Sequence, residues 1–257
     1  MIRRACMLFA AAVLIALPNV ASAMTIEKIV SPAGIEAWLM REKSVPLITL
    51  NYAFHGGASQ DDADKSGAAH FAADLLDEGA GELDSKTFHE RLENHAIELG
   101  FQVGRDTFHG SLRALNEHRD EAVDLLRLAL TKPRFDAEAV ERVREQELSV
   151  LRRYITNPND LASRRWWQTA FPGHPYGRET KGTLETMARV TVDDLRDYMR
   201  RVFARNELKV SIVGDIDEKT AGELIDRAFG SLPPKNDLKP IPDATTRGLG
   251  RRIEPGE

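Results

Sequence analysis

Gly67-Ala68-Ala69-His70-Phe71-Ala72-Ala73-Asp74-Leu75-Leu76 is the stretch on which the reading of this chain turns. Ser66 ahead of it is a helix-capping type and Gly79 behind it a helix-ending one, so a helix is predicted over 66–79. Phe71, Ala72, Leu75 and Leu76 fall on one apolar stripe, the face expected to pack on a core. His70, Asp74 and Asp77, at offsets of four and seven, share a separate polar stripe. Two ligands one turn apart can point at one ion, which makes His70 and Asp74 a candidate metal half-site. The same pair is equally a common pattern on a solvated helix face, and the residues alone leave both readings standing.

Outward from this helix the pattern is mixed. Short strands are predicted over 26–30 and 34–39, around the turn Ser31-Pro32-Ala33-Gly34. A more buried strand is predicted over 47–54, and extended structure over 101–112, interrupted near Gly104. A helix starts near Ser85 with Phe88 and Leu92 inward. Asn116 caps another carrying Val123, Leu126 and Leu130, halted by Pro133. Asp136 caps a longer one with Val140, Val143, Leu148, Leu151 and Ile155, halted at Asn157-Pro158. Thr191 and Asp194 frame a capping box before Leu195, Tyr198, Met199, Val202 and Phe203. A strand at 208–213 precedes one apolar face, Ala221, Leu224, Ile225, Ala228 and Phe229. Strands early, helices in the middle and a late strand–helix pair predict an α+β fold.

The 257 residues carry a net charge of −5 with 42% hydrophobic residues, which rules out global disorder. A pI near 5.9 offers no electrostatic reason for nucleic acid binding. Cys6 is the single cysteine, so a disulfide framework is excluded. Arg3 and Arg4, the apolar run 7–17 and Ala21-Ser22-Ala23 follow the order of a secretory signal peptide, residues 1–23, with an uncleaved anchor as the alternative. Localisation is therefore expected to be periplasmic or secreted, with no stable membrane span after cleavage. Residues 24–231 form the main domain in this reading. Pro233, Pro234, Pro240 and Pro242 mark 232–257 as a linker, with Arg251-Arg252-Ile253 as the start of a truncated second domain.

Gly56-Gly57-Ala58, Gly67-Ala68-Ala69-His70-Phe71, Phe135-Asp136, Glu141-Arg142-Val143-Arg144, Asn157-Pro158, Gly173-His174-Pro175-Tyr176-Gly177, Lys181-Gly182-Thr183-Leu184-Glu185 and Val213-Gly214-Asp215 occur in this order. The ordered set resembles the pitrilysin/insulinase-like zinc peptidases, which include mitochondrial processing peptidase. The resemblance implies an antiparallel-rich mixed sheet covered by helices, as in one half of a clamshell of two homologous halves. It further implies a His-x-x-Glu-His motif, in which two histidines and a distant glutamate hold zinc and the first glutamate is the general base. Carried over position by position, His70 matches the first histidine. Ala73 occupies the base position, Asp74 the second histidine position and Val150 the distant glutamate position, a placement the Asn157-Pro158 anchor supports.

Alanine has no proton acceptor, and losing a positioned base costs on the order of 10²–10⁴ in rate. The resemblance thus predicts a non-catalytic family member with no zinc cofactor, working as a heterodimer partner or scaffold for an active zinc-binding relative in peptide processing. One alternative is an active zinc endopeptidase with a degenerate site of His70, Asp74 and Glu147; in the plainer reading Glu147 is a surface acid pairing with Arg144. A second alternative is a stand-alone peptide-binding module. The family's peptide-docking edge strand keeps Arg105-Asp106 here, with Gly100 and Phe101 in place of its asparagine and alanine. The remaining histidines, His55, His89, His95, His109, His118 and His174, show no second metal spacing along the sequence. The tryptophans of Arg164-Arg165-Trp166-Trp167 are expected to pack inward.

Overall fold

The computed structural model describes residues 25–244; the 1–23 signal and the Arg251-Arg252-Ile253 strand start lie outside the described residues. Strands β1 (Ile26–Val30), β2 (Glu36–Arg41) and β3 (Leu47–His55) come first, followed by helix α1 (Ala68–Ala73). A two-rung hairpin, β4 (Gly79–Ala80) and β5 (Leu83–Asp84), leads into α2 (Ser85–Asn94), β6 (Glu98–Val103) and β7 (Thr107–Leu115). Then come α3 (Arg119–Thr131), α4 (Ala137–Tyr154), α5 (Pro158–Ala170), α6 (Leu184–Met187), α7 (Val192–Val202), β8 (Lys209–Gly214) and α8 (Glu218–Phe229).

Six strands form one sheet in the order β1-β2-β8-β3-β7-β6. Each neighbouring pair is antiparallel except β2 with β8, because β8 returns late in the chain and inserts between β2 and β3. The period-two alternation of β3 puts Ile48, Leu50, Tyr52 and Phe54 on one buried face, joined by Phe108 and Leu112 of β7 and Val210 and Ile212 of β8. Helices α3 and α8 pack against each other, as do α1 and α7, and their buried apolar faces belong to the same core cluster as this sheet face. Phe203 bridges the layers, its ring 4.8 Å from those of both Phe54 and Phe108. Each such large side chain contributes roughly 1.5–3 kcal/mol by leaving water. The opposite face carries Thr49, Asn51, Ser111, Arg113 and Trp38, the last 44% exposed. The fold is α+β, with the mixed, mostly antiparallel sheet and helical cover expected from the sequence.

Two elements differ from their sequence expectations. The helix predicted over 66–79 is confined to Ala68–Ala73, and Leu75, Leu76 and Glu78 tighten into i→i−3 bonds before Gly79 enters β4. Its cap is the Asp61 carboxylate and not Ser66. The helix begun at Asp136 ends at Tyr154, ahead of Asn157-Pro158 as expected, but Pro158 then opens a further helix, α5, absent from the sequence expectations, where its missing N–H costs nothing and Asn157 Oδ1 caps Asn159 and Asp160. The proline-rich segment is tied to the body through Pro242. Gln60 grips the Lys239 backbone with both ends of its amide, at 2.8 and 3.1 Å, and Asp237 N–H donates to the Arg201 carbonyl. No helix among the described residues is long and apolar enough to cross a membrane.

Candidate functional site

Helix α1 is set in place from both ends of its approach. Asp61 accepts from the N–H groups of Gly67 at 2.9 Å and Ala69 at 3.0 Å, filling the orphan donors of the first turn. Burial pushes this carboxyl up to about 7 despite those bonds and the nearby charges of Arg201 and Lys239. Gly67 sits at φ +98°, and a Cβ there would lie 2.7 Å from the Lys181 carbonyl oxygen. Only glycine lets the 181–183 turn close against the helix start. Thr186 Oγ1 locks that turn by donating to the Ser66 carbonyl at 2.8 Å.

Lys181, 111 positions after His70, thereby stands beside α1. His70 is half-buried. Burial first, and the Lys181 ammonium second, drive its imidazole down to about 4, while a hydrogen bond with the Val103 backbone at the end of β6 pulls the other way. Asp74 is pushed up to about 7 by burial and then by the Glu147 charge, with Lys181 opposing and Asp77 adding to the rise. His70, Asp74, Glu147 and Lys181 therefore share one electrostatic environment where α1 meets α4. Ala73 is 3% exposed and offers a methyl group to the core. Val150 is half-buried on α4. Lys181 is the site residue that sequence spacing does not reveal.

Asp74 has a measurable signature. Its folded pKa lies above the ordinary 3.8, so its contribution to stability is full below pH 3.8 and is lost as pH rises through about 7. Asp74→Asn cannot ionise and escapes that loss. Urea unfolding should show the variant gaining on the wild type by on the order of 2 kcal/mol more at pH 8 than at pH 5. An equal difference at both pH values would mean that Asp74 ionises without penalty.

A zinc ion needs three protein ligands and, for hydrolysis, a base. Among the described residues, the single triad with ligand atoms all within 4.8 Å of one another is Asp77, Glu78 and His89, so His70, Asp74 and Glu147 do not converge to that extent. Ala73 and Val150 supply no donor, and the Lys181 ammonium, whose charge acts on both His70 and Asp74, would repel a dication held between them. These residues do not fit a catalytic zinc. Nor is Glu147 partnered by Arg144, which turns to Glu141 and to the carbonyls of Met187 and Val190.

β6, carrying Gly100 and Phe101, is the terminal strand of the sheet and ends at the Val103 backbone beside His70. The Arg105 and Asp106 that follow it are engaged with the 174–177 turn. Arg105 Nε donates to the Tyr176 carbonyl, its guanidinium lies 3.4 Å from the Trp167 ring centre, and Asp106 accepts from the Tyr176 hydroxyl at 2.6 Å. His174 is structural: Nδ1 accepts from Tyr176 N–H, and Nε2 binds the Pro242 carbonyl. Trp167 is half-buried, whereas Trp166 is 57% exposed, contrary to the inward packing expected of both.

Comparison with known proteins gives the family. The family described as "Insulinase (Peptidase family M16)" matches residues 40–184, more than half the chain, and "Peptidase M16 inactive domain" matches residues 189–255. The "Non-peptidase homolog YmxG" of Helicobacter pylori is 30% identical over 83% of this chain and 49% of its own length. The "Probable mitochondrial-processing peptidase subunit beta" of Schizosaccharomyces pombe is 27% identical over 77% of this chain and 43% of its own. A solved structure of the peptidase M16 inactive domain from Pseudomonas fluorescens superposes with a TM-score of 0.80 at 23% identity, covering 86% of this chain and 54% of that one. The chain thus spans about half the length of these relatives. Shared fold and matched sequence agree: this chain belongs to the insulinase family of peptidases, M16.

Proposed function

We propose that this chain is a catalytically silent M16 member, exported to the periplasm, that pairs with a zinc-bearing relative and helps it hold peptide substrate. The observation that carries the reading is that Ala73, at the position the resemblance assigns to the general base, is a buried methyl. The names of two relatives, a non-peptidase homolog and an inactive domain, support the loss of catalysis. Pairing draws support from the similarity to a processing-peptidase subunit. Peptide holding draws on the outer edge of β6, whose backbone groups can accept an added strand. Export rests on the 1–23 segment alone.

The test combines activity with assembly. The chain alone, supplied with zinc, should cleave no peptide. It should co-purify with a His-x-x-Glu-His relative from the same cell and raise that relative's cleavage rate. Cleavage by the lone chain that disappears with His70→Ala would overturn the proposal in favour of an active, degenerate peptidase. A chain that purifies alone yet retains peptide would overturn the pairing and leave a stand-alone binding module.

A further inference from the structure

His70, Asp74 and Asp77 share a stripe only if α1 continues, and it does not. Its end at Ala73 carries Asp77 and Glu78 toward α2, where they meet His89. The three half-buried side chains bring one ligand atom each to within 4.8 Å of one another. Two ligands on a tetrahedral zinc are roughly 3.4 Å apart, a gap that small rotamer changes close.

The donors are prepared for a cation in three ways. His89 Nδ1 lies 2.8 Å from the Ser85 carbonyl. A carbonyl can only accept, so Nδ1 carries the hydrogen and the neutral ring presents its lone pair at Nε2. Metal-binding histidines are oriented by the same kind of bond. Glu78 places both its bonds, from Ser85 Oγ and from Arg142, on Oε2, which leaves Oε1 for coordination. Asp77 forms no ion pair among the described residues. Burial holds its carboxyl above the usual range, with His89 drawing it down, Glu78 adding to the rise and Arg142 opposing it. The groove against the triad is lined by Asp84, Asp136 and Glu138 as well as Glu78, against Lys86 and Arg142. That excess of carboxylates focuses an attractive field on an entering cation.

We propose that Asp77, Glu78 and His89 form a binding site for a first-row divalent cation of the zinc type, which clasps the segment after α1 to α2. One imidazole with two carboxylates suits such ions better than calcium or magnesium, which prefer all-oxygen shells. The site shares no ligand with the His70 cluster, so it stands whether or not the chain is silent.

The experiment titrates Zn²⁺ alone into the chelator-stripped full chain, by calorimetry and by metal analysis after gel filtration. About one equivalent should bind. His89→Ala and Asp77→Asn should each weaken binding at least tenfold, while, without metal, neither unfolds at a much lower urea concentration than the wild type. His70→Ala should bind as the wild type does. Absence of binding, binding undiminished in His89→Ala, or binding lost in His70→Ala would overturn the site.

Discussion

Gly110→Ala should cost about 3 kcal/mol or more, a large share of a total stability of roughly 5–15 kcal/mol. Gly110 is paired with Tyr52 across β7 and β3. A Cβ on Gly110 would lie 2.0 Å from Tyr52 Cζ and 2.5 Å from its Cε1, so the ring occupies the volume a side chain would need. The ring has no easy retreat. It is 3% exposed, meets Phe54 edge-on at 5.6 Å and Phe229 at 5.1 Å, and its hydroxyl is buried without a partner. Moving it would disturb the contact between the sheet and α8, in an interior that has little free volume to absorb the shift. Ser111→Ala, one residue on and half-buried on the opposite face, should cost less than about 0.5 kcal/mol. Urea midpoints of the two variants measure the contrast directly. A Gly110→Ala protein as stable as the Ser111→Ala one would show that the Tyr52 ring repacks freely.

Other parts of the chain show what a one-dimensional pattern can and cannot carry. The faces Leu195-Tyr198-Met199-Val202 and Ala221-Leu224-Ile225-Ala228-Phe229 are legible because a helix that buries one side writes its own period in apolar residues, and all nine are buried. The Thr191–Asp194 capping box is legible for a similar reason, since both partners lie within one turn. The end of α1 is not legible. It is decided by Gly79 pairing with β5 and accepting from Arg134 N–H, a partner 55 residues further along. Asp61, reaching forward six residues to cap α1, lies outside the spacing at which caps are sought. Lys181 reaches the His70 cluster only because two backbone segments touch at Gly67 and Gly182. Trp166 shows the limit of composition: aromatic character predicts burial on average, and α5 buries only Ala170. The polar stripe of α1 likewise indicates one cluster where the fold parts it: Asp74 meets the charge of Glu147 on α4 and, with His70, that of Lys181, while Asp77 comes within ligand distance of His89.

Restoring the family motif by Ala73→Glu, Asp74→His and Val150→Glu together should create a zinc site around His70. In a His89→Ala background, which silences the second cluster, the parent should retain less than roughly a tenth of an equivalent of zinc and the restored protein close to one. The gain should vanish with His70→Ala, because His70 is the one inherited ligand. Replacing Asp74 also removes a carboxyl held up to about 7 by burial and Glu147, which relieves the cost of ionising it there. Against this, the glutamate introduced by Ala73→Glu must carry its carboxylate out of a position that is 3% exposed, so the variant should lose stability without metal and recover part of it with zinc. The Lys181 ammonium beside His70 opposes a dication, and adding Lys181→Met should tighten zinc at least about tenfold further, since one repelled unit charge in a half-buried site readily exceeds the roughly 1.4 kcal/mol that a factor of ten represents. A restored protein that folds, yet takes up no more zinc than its parent, would show that Ala73, Asp74 and Val150 do not stand where the family keeps its catalytic groups.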